Sequence, residues 1–474
     1  MTLLNRVKSL PKNFVLGGAT AAYQVEGNTK VDGKGKTMWD DYLKKQGRFS
    51  PDPASDFYNR YPEDLELSAK YGLNAIRVSI AWTRIFPDGV VGTPNELGVK
   101  YYHELFHECL KHGITPYVTL HHFDTPKALF DQGDWLNRKQ IDDFVDYAKF
   151  CFKEFPEVTN WFTINELISL AESQYIAGAF PPNHHFDVTS AIQAQHNELV
   201  AHARAVLAYK ELGLEGRIGL IHVIQPVYPI TETPENQHAA DLQDAFINRF
   251  LLDGTFLGKY SDGTMDLINE ILDKNDAHLE IADGDMDYLK AASTQNDFFG
   301  LNYYQNQYVK AYDGPSGNVF NGTGAKGTTS FKFHGVCESV TNPDVPTTDW
   351  DWNIFPQGLY DVLTRISKEY KNCKTIYITE NGMGYKDKFV SPDEVIDDSP
   401  RIDYVDQHIE ALLKARAEGV DVQGYFIWSL QDQFSWANGY NKRYGLFYVD
   451  FETQKRYIKK SALWFKELSD TMKD

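Results

Sequence analysis

The chain has 474 residues, of which 47 are Lys or Arg and 66 Asp or Glu, giving a formal charge of −19. With 42% apolar and 24% charged residues, the composition is that of a folded globular protein and excludes a largely disordered chain. The acidic balance disfavours a nucleic-acid partner, no apolar run approaches the roughly 18 residues of a membrane helix, and the opening MTLLNRVKSLPKNF carries no apolar leader.

Eight near-continuous apolar runs follow one another along the chain: FVLGGAT from Phe14, AIRVSI from Ala75, TPYVTLH from Thr115, WFTIN from Trp161, IGLIHVI from Ile218, DFFGLNYY from Asp297, TIYIT from Thr375 and GYFIWSL from Gly424. Runs of this kind are expected of parallel strands covered on both faces. Helical patterns lie between them, ending at Gly72, Gly113, Gly213 and Gly419, where a glycine suits a left-handed C-terminal cap. Eight strand–helix units predict a (β/α)8 barrel, an α/β TIM barrel, as a single domain over residues 1–474. Such a barrel needs about 250 residues, so the surplus is read as long loop insertions. Tyr312 to Trp352, rich in Gly, Thr, Asn and Pro, is the clearest of them. The four cysteines, Cys109, Cys151, Cys337 and Cys373, are widely spaced and read as reduced thiols of a cytoplasmic protein.

Several local patterns lack the context their chemistry needs. Gly322-Thr-Gly324-Ala-Lys-Gly327 matches a dinucleotide fingerprint, but no apolar strand precedes it and no helical pattern follows. The paired His121 and His122 point to opposite faces of a strand and cannot chelate together. No zinc-ligand spacing appears, so neither a metal nor an organic cofactor is expected.

Active sites of such barrels lie at the C-terminal ends of the strands. The fourth run ends in Asn165-Glu166 and the seventh in Glu380-Asn381. Two carboxyls flanking one centre are what acetal hydrolysis requires. One protonates a poor leaving group while the other attacks or assists at the anomeric carbon. Their roles need different proton affinities, hence different environments. Their separation is not readable from sequence. With 66 aromatic residues in all, some rings are expected to form a platform for the apolar face of a sugar.

Taken together, FVLGGATAAYQVEG from Phe14, Thr163-Ile-Asn-Glu166, Ile376-Tyr-Ile-Thr-Glu-Asn-Gly382, Trp428-Ser-Leu-Gln-Asp-Gln-Phe-Ser-Trp436 and Gly439-Tyr-Asn-Lys-Arg-Tyr444-Gly445 resemble glycoside hydrolase family 1 over nearly the whole chain. The resemblance implies a retaining β-glycosidase with Glu166 as general acid/base and Glu380 as nucleophile. It implies that Gln24, His122, Asn165 and Trp436 hydrogen-bond sugar hydroxyls, and that Arg77 and Tyr304 orient the nucleophile. Arg77 is expected to lower the pKa of Glu380. Trp428 would floor the sugar site and Trp352 wall the aglycone side.

One departure bears on substrate. Family members commonly read W-x-L-x-D-N-F-E-W, their glutamate binding the 4- and 6-hydroxyls, whereas this chain has Ser435 there. A carboxylate ~5 Å from an anion costs roughly 3 kcal/mol per charge pair at an effective dielectric near 20, so a 6-phosphate demands its removal. Ser435, Lys442 and Tyr444 together resemble the phosphate-binding set of the family's 6-phospho-β-glycosidase branch. Trp436 is similar to the residue kept by the 6-phospho-β-galactosidases. The reading is therefore hydrolysis of a phosphorylated disaccharide such as lactose 6-phosphate in the cytoplasm. Open alternatives are a 6-phospho-β-glucosidase, a broad β-glycosidase, or a non-catalytic sugar-phosphate binder. The sequence leaves the oligomeric state open.

Overall fold

The computed structural model describes Val7 and residues 10–473. Part of the opening segment read as lacking a leader thus lies outside the described residues. The eight apolar runs form eight strands: β1 (Val15–Ala19), β2 (Ala75–Ser79), β3 (Thr115–His121), β4 (Asn160–Asn165), β5 (Arg217–Val223), β6 (Phe299–Asn302), β7 (Ile376–Asn381) and β8 (Val422–Trp428). They pair in sequence order, all parallel, and β1 pairs with β8 to close the barrel. Closure leaves no unpaired edge, and the outer faces are buried under helices, which is why the runs are apolar throughout.

The barrel interior is filled from below by rings. Tyr117, Phe162, Phe298, Tyr377 and Phe426 form one buried cluster with Ala19, Ala75 and Ile221. Arg217 stacks beneath on Phe298 and donates to the Tyr377 hydroxyl at 3.1 Å. The lower barrel is therefore a packed core, and the cavity that holds both glutamates lies at the C-terminal ends of the strands.

The helices Phe57–Lys70, Glu96–Lys111, Val188–Glu211 and Ser399–Ala417 each stop two residues before the glycine expected to cap them. Gly72 sits at φ 89° and Gly419 at φ 95°, a region that a side chain would strain. The third of these helices starts far upstream of its strongest apolar pattern. The Asp187 carboxylate accepts from the Ser190 N–H and fixes its start there.

The segment from Tyr312 to Trp352 is more ordered than a loop. Gly317–Val319, Ser330–Phe333 and Cys337–Ser339 form antiparallel strands, joined through Gln307–Lys310 to Val227–Pro229 as a five-stranded sheet. Its polar composition hid these strands because they are short and bury one face only, through Val309, Phe333 and Cys337. The Gly322–Gly327 pattern lies in the turn between two of them, where the Asn321 side chain accepts from the Gly324 N–H at 2.9 Å. All four cysteines are free. Among the described residues, no helix is long and apolar enough to cross a membrane.

Candidate active site

A cavity of about 210 Å³ opens at the C-terminal end of the barrel. It is lined by Gln24, His122, Asn165, Glu166, Tyr304, Trp352, Glu380, Trp428, Ser435, Trp436, Lys442 and Tyr444. Every side chain expected at the site is there except Arg77, which lies fully buried and donates to Glu380. The expected residues come from the ends of β1, β3, β4, β6, β7 and β8 or the segments just beyond them, from within β2 (Arg77), from the insertion (Trp352) and from one late hairpin.

Strict alternation would not deliver two of these groups. In β4, Phe162 faces the barrel interior, so Ile164 should follow it inward and Asn165 should turn out. A shift in pairing register between Phe162 and Asn165 reverses this, sending Ile164 to the outer core and Asn165 into the cavity. In β7, Tyr377 points inward and Ile378 outward; a register shift between Ile378 and Glu380 then brings Glu380 in. Irregularities of this kind re-aim side chains at barrel rims. Glu166 follows its strand with φ 46°, in the left-handed region. Its N–H stays tied to the Ile221 carbonyl at 2.8 Å. The two neighbouring histidines divide as the alternation requires. His122 enters the cavity, whereas His121 packs outward on Trp82 and Trp135 and meets Thr125 Oγ1 at 3.0 Å.

The carboxyl environments differ. Burial pushes the Glu166 pKa up to about 7, the nearby Glu380 charge adds to this, and hydrogen bonds from Ser169 and Asn302 oppose it. Burial also raises Glu380, against the Arg77 guanidinium and hydrogen bonds from Tyr304, Arg77 and Asn302. Arg77 thus lowers the Glu380 pKa as expected, but the net direction is upward, because desolvation of a fully enclosed carboxyl is larger. The difference between the two groups survives. Glu380 holds a guanidinium and a phenol, the latter donating to Oε2 at 2.5 Å, whereas the donors to Glu166 are neutral side chains.

Arg77 organises the floor. Its Nε donates to Thr119 Oγ1 at 3.1 Å and its Nη2 to Asn165 Oδ1 at 2.6 Å, and Nη2 stands 3.3 Å from His122 Nδ1. Burial and this guanidinium hold the His122 pKa well below the ordinary imidazole value, so the ring meets a ligand neutral.

Two site residues were missed from sequence. Asn302, the last residue of β6, donates to Glu166 Oε1 at 2.6 Å, also hydrogen-bonds Glu380, and accepts from Thr379 Oγ1 at 2.7 Å. One amide thus touches both carboxylates. The signal was a polar residue ending the sixth apolar run, the same criterion that picked out the glutamates. Gln433 lines the cavity with its amide nitrogen and oxygen buried and unpartnered among the described residues. Gln24 is similar: its Nε2 donates to the Phe434 carbonyl at 2.7 Å while its buried Oε1 has no partner there. Buried amide groups of this kind are unfavourable unless a ligand completes them.

The rings form two walls. Trp428 lies nearly parallel to His122, and Trp436 stacks on Tyr23 with centroids 5.5 Å apart and planes 6° apart. Trp352 stands edge-on to Tyr304 on the other side. The late hairpin supplies the remaining polar groups. Ser435 and Gly439 exchange backbone hydrogen bonds at 2.7 and 2.8 Å, which folds Lys442 and Tyr444 back over the cavity. Arg443 turns the other way and pairs with Asp432 at 2.6 Å, so it takes no part in the site. Asp432 also accepts from Lys459 at 2.7 Å, and Lys459 from there reaches Asp387 at 2.6 Å. Among the described residues, no cluster of three or more His, Cys, Asp or Glu side chains is arranged to hold a metal ion.

Two carboxyls of unequal environment at the C-terminal mouth of a closed eight-stranded barrel, ringed by amides and indoles, make the site of a glycoside hydrolase. The model for glycosyl hydrolase family 1 matches residues 6–473. Relatives include a protein of Streptococcus pneumoniae named 6-phospho-beta-galactosidase 1, 58% identical over 98% of both chains. Others named 6-phospho-beta-galactosidase come from Clostridium acetobutylicum, 56% identical over 97% of this chain and 96% of the relative, and from Staphylococcus aureus, 54% identical over 98% and 99%. Among solved structures, the family 1 β-glucosidase of Thermotoga maritima superposes with a TM-score of 0.86 at 36% identity, covering 98% of each chain. The same enzyme in complex with deoxynojirimycin gives 0.87 over 98% and 99%. The chain belongs to glycosyl hydrolase family 1.

Proposed function

We propose that this protein is a retaining 6-phospho-β-galactosidase that cleaves phosphorylated disaccharides such as lactose 6-phosphate to galactose 6-phosphate and the free aglycone sugar. The observation that carries the reading is Lys442, a buried lysine with no carboxylate partner among the described residues, in the same cavity as Glu166 and Glu380. Ser435 and Tyr444 stand on the same hairpin, and no acidic side chain occupies the position that would repel a dianion. The names of the full-length relatives support the same substrate class.

The chemistry follows from the environments. Glu380 Oε attacks the anomeric carbon as the bond to the leaving oxygen breaks, and Glu166, pushed up to about 7 and so protonated near neutrality, delivers its proton to that oxygen. The product is a glycosyl ester on Glu380. Forming the ester removes the charge that helped raise Glu166. Its pKa falls, and the same carboxylate can now take a proton from water as the water attacks the anomeric carbon. Glu380 leaves as a carboxylate, its charge received by Arg77 and Tyr304. One amide, Asn302, reaching both carboxyls supports the short separation of about 5 Å that a retaining pair needs. Asn165 is the group for the 2-hydroxyl, and Trp436, fixed by its stacking on Tyr23, the group for an axial 4-hydroxyl. A phosphorylated disaccharide substrate goes with a cytoplasmic location.

The test is initial rates on the nitrophenyl β-galactoside, the β-glucoside and the 6-phosphate of each. Preference for galactose 6-phosphate is expected. Preference for glucose 6-phosphate would retain the phosphate site and reject the role of Trp436. Equal rates on neutral sugars would reject the phosphate reading altogether.

A further inference from the structure

Lys442 is held in an unusual way. Its side chain is 2% exposed, yet among the described residues no acidic group meets it. Its Nζ instead stands 3.5 Å from the ring centroid of Trp352, 5.3 Å from that of Trp350 and 5.4 Å from that of Tyr444. The stem is pressed against the backbone of Gly384, where even a methyl group would come within 2.6 Å of the lysine Cε.

Each acid and base close by is engaged elsewhere. On the insertion, Asp349 faces Lys386 at 3.9 Å, and Asp351 accepts from the backbone of Gly327 and Thr329 and from Asn321. On the segment after β7, Lys386 stands over Trp350 at 5.6 Å and donates to the Gly324 carbonyl. On the hairpin itself, Arg443 is neutralised by Asp432, and burial keeps the Tyr444 hydroxyl protonated. Trp350 is 2% exposed and does not line the cavity, so it meets a ligand only through Lys442.

A carboxylate partner would steady a buried ammonium but would also cancel its charge and occupy its N–H groups. An aromatic face favours the cation through its quadrupole and leaves those donors free. Resting on the phosphate-recognising reading of this hairpin, we infer that Trp350, with Trp352, is a positioning residue for phosphate specificity. It holds Lys442 aimed and charged without neutralising it, so that the full charge is available to a sugar 6-phosphate dianion.

This makes a demand that a merely structural tryptophan would not. Burial drives the lysine pKa well below its ordinary value, and on the proposed role the faces of the rings beside it act against that. In the ratio of kcat/KM for the phosphorylated galactoside over the neutral one, the ionisation of Glu166 and Glu380 is common to both and cancels. What remains is a rise as the phosphate loses its second proton near pH ~6, and a fall at higher pH as Lys442 loses its own. Replacing Trp350 should lower the ratio and move its alkaline limb to lower pH.

The experiment is this ratio against pH for the wild-type chain, Trp350→Leu and Trp350→Phe, using nitrophenyl β-galactoside and its 6-phosphate. Trp350→Leu should raise KM for the phosphate about tenfold at little change in kcat, with the alkaline limb shifted down. Trp350→Phe, which keeps a ring of weaker quadrupole, should fall between Leu and wild type. Leu kinetics and limb equal to wild type would overturn the inference, as would a loss confined to kcat. If the leucine variant does not fold, a phenylalanine variant indistinguishable from wild type overturns it equally. A wild-type chain with no preference for the phosphate would instead overturn the proposed function.

Discussion

Glu166 should cost this protein stability, and its removal should return it. The fold raises its pKa from 4.5 to about 7, so the folded chain binds this proton more tightly than the unfolded chain does. The sign follows from linkage: stability is full below the unfolded value, declines as pH rises from about 4.5, and is lost once pH passes the folded value near 7. A difference of about 2.5 units at 1.36 kcal/mol each makes the loss about 3 kcal/mol at pH 8. Glu166→Gln replaces the carboxylate by a neutral group of the same shape, whose carbonyl can still accept from Asn302 Nδ2. The variant should therefore be about 3 kcal/mol more stable than wild type at pH 8 and equal to it near pH 4.5. For a chain of this length that is a rise in Tm of about 3 °C at pH 8. Denaturant or thermal melts of both proteins between pH 4.5 and 8 read it directly, alongside loss of glycosidase activity. A glutamine variant no more stable at pH 8, or a gain that persists unchanged at pH 4.5, would refute the reasoning.

Tyr304→Phe removes the donor to Glu380 Oε2 and should move the acid limb of kcat/KM to higher pH, with kcat/KM at pH 6 down about 10–100-fold, the worth of one hydrogen bond to a charged group. Asn302→Ala removes a donor from both carboxylates; the alkaline limb set by Glu166 should move up in pH and kcat/KM fall at least about tenfold at neutrality. Asp432→Asn removes a buried carboxylate that pairs with the part-exposed Arg443 and the buried Lys459 beneath the hairpin that carries Lys442. It should cost less in denaturant melts than the ~3–5 kcal/mol of a fully unpaired buried charge, because Lys459 keeps Asp387 and Arg443 keeps the Val449 carbonyl.

The barrel was legible because its signals are local. Each strand is a near-continuous apolar run, since both faces are covered, and each of four helices announces its end with a glycine two residues on. The insertion was not legible. Its strands are three or four residues long and bury one face, so Gly, Thr and Asn dominate the composition. The two glutamates were found by combining barrel geometry with the residues that end β4 and β7. The same criterion applied to β6 would have yielded Asn302.

Sequence alone determined which groups are available: two carboxylates, a guanidinium, the serine in place of a glutamate, and the lysine and tyrosine seven and nine residues beyond it. Residue type is a property of the chain, and a pattern this long admits few readings. Tertiary structure decided how those groups behave. The register shifts in β4 and β7 turn Asn165 and Glu380 inward against strict alternation, and they depend on neighbouring strands that sequence does not place. The pKa order of the carboxyls depends on desolvation against donors arriving from β2 and from the end of β6. Lys442 became a buried lysine, with no carboxylate partner among the described residues, only when rings from an insertion some ninety residues earlier closed over it. Charge and burial are set by what surrounds a group in space, and that is fixed only when the barrel closes.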